Sequence, residues 1–143
     1  MQAHRRFTVQ ASLLAVHTFL ADFSTTEQWD PGTQTCVRTD DGPLQVGSTW
    51  HNVSLFRGRQ TELDYRLETM DPGQLRFVGA NKTASTIDDL RLSEAGNGRT
   101  EIAYTGTIAF HGLVRFAEPF LRRSFDKLAD QTVDQMTGAI NDL

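Results

Sequence analysis

Along the chain, apolar residues recur first with a period of two, then at helical spacing, then with a period of two for some seventy residues, and at the end at helical spacing again. Arg6-Phe7-Thr8-Val9-Gln10 alternates and predicts a strand. Leu13, Val16, Phe19, Leu20 and Phe23 then fall on one helical face, with Ser12 placed as N-cap. Ser24-Thr25-Thr26-Glu27 has the form of a capping box, which predicts a second short helix ending at Trp29-Asp30-Pro31. Six further strands are expected at Gln34–Arg38, Ser48–Phe56, Gln60–Met70, Gln74–Asn81, Ala84–Ser93 and Thr100–Phe110. Gly, Pro and Asp cluster at most of the breaks, and the short connections imply antiparallel hairpins. Only the link from Asn81 to Ala84 lacks Gly or Pro.

From Pro119 to Asp142 a long helix is expected, about 36 Å if about 24 residues are helical. Phe120, Ser124, Phe125, Leu128, Thr132, Met136, Ala139, Ile140 and Leu143 mark its apolar face. Arg122, Arg123, Asp126, Lys127, Asp130 and Asp134 lie opposite, as on a solvated face.

Parity within the strands assigns an interior face. Leu63, Tyr65 and Leu67 share one face, opposite Glu62, Asp64, Arg66 and Glu68. A two-residue turn near Gly58 sets Trp50, Asn52, Ser54 and Phe56 beside them; a three-residue loop would bring in His51, Val53 and Leu55 instead. The two-residue turn is favoured because it buries Trp50. Leu75, Phe77, Leu90, Leu92, Ile102, Tyr104, Ile108 and Phe110 also point inward, and the same parity brings in Asp88, which must be paired, hydrated or neutral if buried. Aromatic and aliphatic walls with sparse polar atoms suit a ligand cavity.

The turn D-P-G occurs twice, at Asp30-Pro31-Gly32 and Asp71-Pro72-Gly73. Its residues suit a type II turn with Gly at positive φ. This is shared turn chemistry, not an internal repeat. In the first copy Trp29 precedes the turn and is expected to plug the helix pair against the sheet.

Length and charge narrow the function. One domain over residues 1–143 is expected, and 143 residues suffice for a core without staples. A net charge of −4 without a basic block gives nucleic acid no obvious attraction. Cys36 is the single cysteine, so no intrachain disulfide can form. Polar residues interrupt the apolar run after Arg5-Arg6, so neither an export signal nor stable membrane insertion is expected, and the expected location is cytoplasmic. His4, His17, His51 and His111 lack ligand spacing, so no metal and no cofactor are expected. Asp88 with Tyr104 could act as acid and base, and His51 is a further candidate; the alternative is an Asp satisfied by backbone or water.

The order of strand, two short helices, six antiparallel strands and one long helix resembles the helix-grip fold of the START/Bet v 1-like (SRPBCC) superfamily. Asp22-Phe23-Ser24 through Gly32, Val46-Gly47-Ser48-Thr49-Trp50, Phe56-Arg57-Gly58-Arg59 and Gly98-Arg99-Thr100 leading to Tyr104 are similar to bacterial members described as polyketide cyclase/dehydrase-like or lipid-transport-like. The resemblance implies an α+β fold, a seven-stranded curved antiparallel sheet around the C-terminal helix, and a cavity between them with its mouth near the short helices and some strand loops. Expected ligand-binding residues are Trp29, Trp50, Asn52 and Ser54, with Leu63, Tyr65, Leu67, Phe77 and Leu90. On the last strand and helix they are Tyr104, Ile108, Phe110, Phe120, Ser124 and Leu128. The expected function is binding of a hydrophobic small molecule (lipid, polyketide or isoprenoid-like) as a carrier. A polyketide cyclase, aromatase or dehydratase using the same cavity is the alternative, and a partner-interaction module the third; in each case a monomer or homodimer is expected.

Overall fold

A computed structural model describes all residues, Met1–Leu143. Strand β1 (Gln2–Val9) leads to α1 (Leu13–Ala21), a 3-10 turn (Phe23–Thr25) and α2 (Thr26–Trp29). Strands β2 (Thr33–Arg38), β3 (Thr49–Phe56), β4 (Arg59–Asp71), β5 (Gln74–Ala80), β6 (Ala84–Gly96) and β7 (Arg99–Phe110) follow. A second 3-10 turn (Gly112–Ala117) enters α3 (Glu118–Asn141), which is 24 residues long. All pairings are antiparallel, in the order β1-β7-β6-β5-β4-β3-β2. The fold is the expected helix-grip α+β arrangement. No helix is long and apolar enough to cross a membrane.

Register shifts at Thr33/Thr35, Leu67/Thr69 and Glu94/Gly96 each add one residue to a strand. Bulges of this kind bend and twist a sheet, here until it wraps a helix. The β3–β4 hairpin turns through Arg57 and Gly58, both at positive φ (52° and 78°), with Phe56 paired to Arg59. That is the two-residue turn, so Trp50 and Asn52 point inward and His51 outward.

Four local expectations are corrected. Neither Gly32 nor Gly73 has positive φ. A Cβ on Gly32 would lie 3.5 Å from the Leu55 carbonyl oxygen and one on Gly73 3.3 Å from that of Leu92. Both glycines instead admit a neighbouring strand, whose Leu55 and Leu92 amides donate to their carbonyls at 2.7 and 2.9 Å. The capping box is not used: Asp22 caps the 3-10 turn by accepting from the Ser24 amide at 3.0 Å, while Glu27 accepts from the Cys36 amide at 2.8 Å. Strand β1 starts at Gln2, because pairing to β7 holds the polar Gln2–Arg5 stretch that carries no apolar alternation. The inward face of α3 runs through Leu121, Phe125 and Leu128 to Ala129, Thr132, Met136 and Ile140, whereas Phe120 is 79% exposed and Leu143 62%. Counting back from Met136 in helical steps reaches Leu121, one residue and about 100° from Phe120.

The unpunctuated link is closed by a side chain. Asn81 Oδ1 accepts from the amides of Thr83 and Ala84, each at 2.8 Å, and so makes the turn that Gly or Pro would otherwise make.

The core is solid at the α1 end of the sheet. Phe23 stacks on Phe77 with centroids 4.3 Å apart and meets Trp29 and Trp50 edge-on at 6.1 Å. Leu67, Leu75, Leu90, Ile102 and Met136 fill the space around them. Toward the other end, the same face of the sheet is not fully covered.

Candidate functional site

At that uncovered end, the β3–β4 hairpin tip, the Asn81–Ala84 link and the passage from β7 into α3 meet. Between them lies a cavity of about 620 Å³. Leu63, Ala84, Ile108 and Phe110 form its sheet wall, Leu121, Phe125 and Leu128 its helix wall, and Phe56, Arg57, Arg59 and Val114 its rim. The short helices contribute only the turn after α2, through Asp30 and Gly32. A smaller inner chamber of about 130 Å³ adjoins it, sharing Asp30, Ile108, Phe125 and Leu128.

The chamber is where polar atoms gather. The Tyr104 hydroxyl donates to Asp88 Oδ1 at 2.6 Å. Asp88 pairs across the ladder with Gly106, and a Cβ on Gly106 would lie 3.0 Å from that hydroxyl, so the missing side chain opens the path between them. Asp88 is half-buried at the chamber, and the protein packed around its carboxyl drives it by desolvation from the ordinary 3.8 up to about 7, against the lowering effect of the Tyr104 hydrogen bond. Burial, and after it the Asp88 charge, pushes the Tyr65 and Tyr104 phenols well above their usual value. Both are therefore neutral hydrogen-bonding groups at physiological pH. Thr86 Oγ1 in the same wall is buried without a partner.

Asp30 joins the cavity and the chamber. Its carboxylate accepts from the Gly32 amide at 3.1 Å and the Thr33 hydroxyl at 2.6 Å, yet desolvation outweighs both and raises its pKa. From Thr33 the chain of polar contacts runs through Asn52 to Ser54. D-P-G was legible as a turn; Thr at the third position after Asp was the signal that its carboxylate folds back inward. No three His, Cys, Asp or Glu side chains converge as a metal site requires.

The expected site residues divide by position along the sheet. Ser54, Leu63, Ile108, Phe110 and Leu128 border the cavity; Tyr65, Asp88 and Tyr104 border the chamber. Trp50, Leu67, Phe77 and Leu90 have the inward parity but sit in the solid core, 0% exposed. Trp29 is equally buried, its indole donating to Thr25 Oγ1 at 3.0 Å and its ring meeting Tyr104 edge-on at 6.3 Å. Asn52 stands behind the wall as a link to Ser54, and Ser124 and Phe120 lie in neither wall. His51 is on the outer surface between Asp64 at 2.9 Å and Glu62 at 3.1 Å, whose hydrogen bonds, that of Asp64 first, raise its pKa. Cys36 is buried and its thiol is pushed up by that burial, which does not suit a nucleophile. Asp30, Thr86, Arg57, Arg59 and Leu121 were not among the expected site residues.

The packing of Tyr65 yields a prediction. Gly79 pairs across the ladder with Tyr65, and a Cβ there would lie 2.6 Å from both Tyr65 Cε1 and Thr86 Oγ1. Gly79→Ala is expected to cost about 1–3 kcal/mol in urea denaturation, because a rigid ring cannot yield as a flexible chain would. An unchanged midpoint would show that the ring has room to move.

Comparison with known proteins agrees with this architecture. A family model described as polyketide cyclase / dehydrase and lipid transport matches residues 2–140. The Zhui aromatase/cyclase from Streptomyces sp. R1128 superposes with a TM-score of 0.81 at 14% identity, covering 98% of this chain and 93% of that one. A protein from Thermus thermophilus gives 0.77 at 12% identity, covering 99% and 95%. A START superfamily protein from Mycobacterium smegmatis gives 0.71 at 16%, covering 98% and 94%. At such identities the likeness is one of fold. No curated protein matches the chain by sequence.

Proposed function

The chain belongs to the polyketide cyclase/dehydrase and lipid transport family, and from that membership we propose that it binds a hydrophobic small molecule between sheet and α3 and acts as its carrier. The observation behind this reading is the cavity itself, about 620 Å³ and lined mainly by hydrophobic residues. That size suits a drug-sized or lipid-like molecule. The inner chamber refines the ligand's character. Asp30, Asp88 and the two phenols supply hydrogen bonds with no cation among them, so a neutral polar end, a ketone, hydroxyl or phenol, fits where a carboxylate would be repelled.

Native mass spectrometry and organic extraction of the purified protein test the reading. A bound apolar molecule is expected, and Leu128→Trp, which fills the space shared by cavity and chamber, is expected to lose it while the circular dichroism stays unchanged. A wild-type protein that carries no ligand and takes up no hydrophobic fluorescent probe would sink the proposal.

One observation favours a second reading as cyclase, aromatase or dehydratase. A carboxyl titrating near neutrality, held by a phenol at 2.6 Å and facing a chamber, is suited to exchange a proton with the carbon between two carbonyls of a poly-β-keto chain. In this reading Asp88 takes and returns the proton, Tyr104 orients its carboxylate, and His51, facing solvent, has no part. Full turnover of such a substrate by Asp88→Asn would exclude it.

A further inference from the structure

The cavity rim carries apolar side chains that the fold leaves uncovered. Leu113 and Phe116 on the 3-10 turn are 85% and 63% exposed, and Phe120 on the first turn of α3 is 79% exposed. Their neighbours Val114, Ala117 and Leu121 line the cavity. The segment is thus apolar on both sides, where a water-facing surface would be polar.

Charge around this rim is mostly of one sign. Arg115 lies over the Phe116 ring, 4.9 Å from its centroid, and Arg57 reaches from the hairpin tip to donate to the Phe120 carbonyl at 3.2 Å. Arg123 and Lys127 continue along exposed positions of α3. The carboxylates in this stretch are engaged: Glu118 by the Met1 amine at 2.9 Å, Asp126 by Arg122 at 3.4 Å. On a chain of net charge −4, a cationic rim is a local arrangement.

We propose that this rim docks on the surface of an anionic lipid bilayer, Leu113, Phe116 and Phe120 entering the headgroup boundary while the arginines meet lipid phosphates. The cavity then opens onto the bilayer, and its ligand passes between lipid and protein without crossing water. The inference rests on the cavity being a hydrophobic-ligand site. Aromatic and aliphatic tips ringed by Arg and Lys match the two attractions that hold a peripheral protein at an anionic interface. A second copy of the chain fits less well, since a two-fold contact would set the same cationic rim against itself.

Co-sedimentation of the full chain with phosphatidylcholine vesicles, with and without phosphatidylglycerol, tests this. Binding should require phosphatidylglycerol, weaken with added salt, and fall about tenfold in Phe120→Ser and in Phe116→Ser, as expected for one lost apolar anchor. Both side chains are exposed, so fold and extractable ligand should be unchanged. If wild type fails to sediment with anionic vesicles but still yields its ligand, the docking inference falls and the cavity reading stands. Vesicle binding indifferent to both substitutions overturns it too. So does a dimer dissolved by them without vesicle binding, or retention by soluble polyglutamate alone, which would mark an acidic protein partner.

Discussion

Trp29→Ala should unfold at a far lower urea concentration than wild type, with about 3–5 kcal/mol of stability lost. The indole is 1% exposed, and it meets Phe23 on one side and Tyr104 on the other. No small shift of α2 fills that volume, since α2 is a single turn held between the sheet and α3. Set against the stability usual for one domain, roughly 5–15 kcal/mol, the loss is a large fraction of the whole. It also removes a wall from behind Tyr104, so the variant should lose affinity for any chamber ligand before it unfolds. A loss of less than about 1 kcal/mol, the range of surface substitutions, would mean the indole is not the plug described.

Asp88→Asn should make the protein more stable above neutrality. The carboxyl titrates at about 7 in the folded chain and at the ordinary 3.8 once exposed. Below pH 4 both forms are protonated and burial of the neutral acid costs little. Between about pH 4 and 7 the folded chain keeps a proton that the unfolded chain releases, so stability falls through this window and levels off above it. A shift of that size amounts to up to about 4 kcal/mol. Asparagine stays neutral and its oxygen can still accept from Tyr104, so the variant should escape the fall. Asp30, also raised by burial, leaves a residual slope of the same sign. Melting temperatures of both proteins from pH 4 to pH 8 check this, and parallel curves would show that Asp88 is not buried as described.

Period and punctuation made the architecture legible, because each strand buries one face and each hairpin carries its own turn residues. Tyr65 and Trp50 illustrate both the reach and the limit of that reading. Both have inward parity, yet Tyr65 borders the chamber while Trp50 is sealed among Phe23 and Phe77. Alternation reports which face a residue is on; it carries no information on whether another side chain fills the space opposite. Phe120 shows a different limit: the helical stripe is broad, and only packing decided that Leu121 turns in and Phe120 out. Asp30 was concealed by its own turn, since D-P-G accounts for the residue before its carboxylate is considered. Thr86 gave no signal, as a hydroxyl left without a partner is a property of its neighbours.

The pairing of β1 with β7 also governs how the molecule comes into being. Gln2 lies opposite Thr107 and Val9 opposite Thr100. Of the seven strands, the first in sequence therefore finds its partner only in the last. Hairpins from β2 to β7 close locally, whereas this seam demands the largest loop closure of any strand pair. Until it forms, β7 presents a bare edge to any strand that passes. The most vulnerable moment in assembling the grip is thus the one before β1 covers the β7 edge.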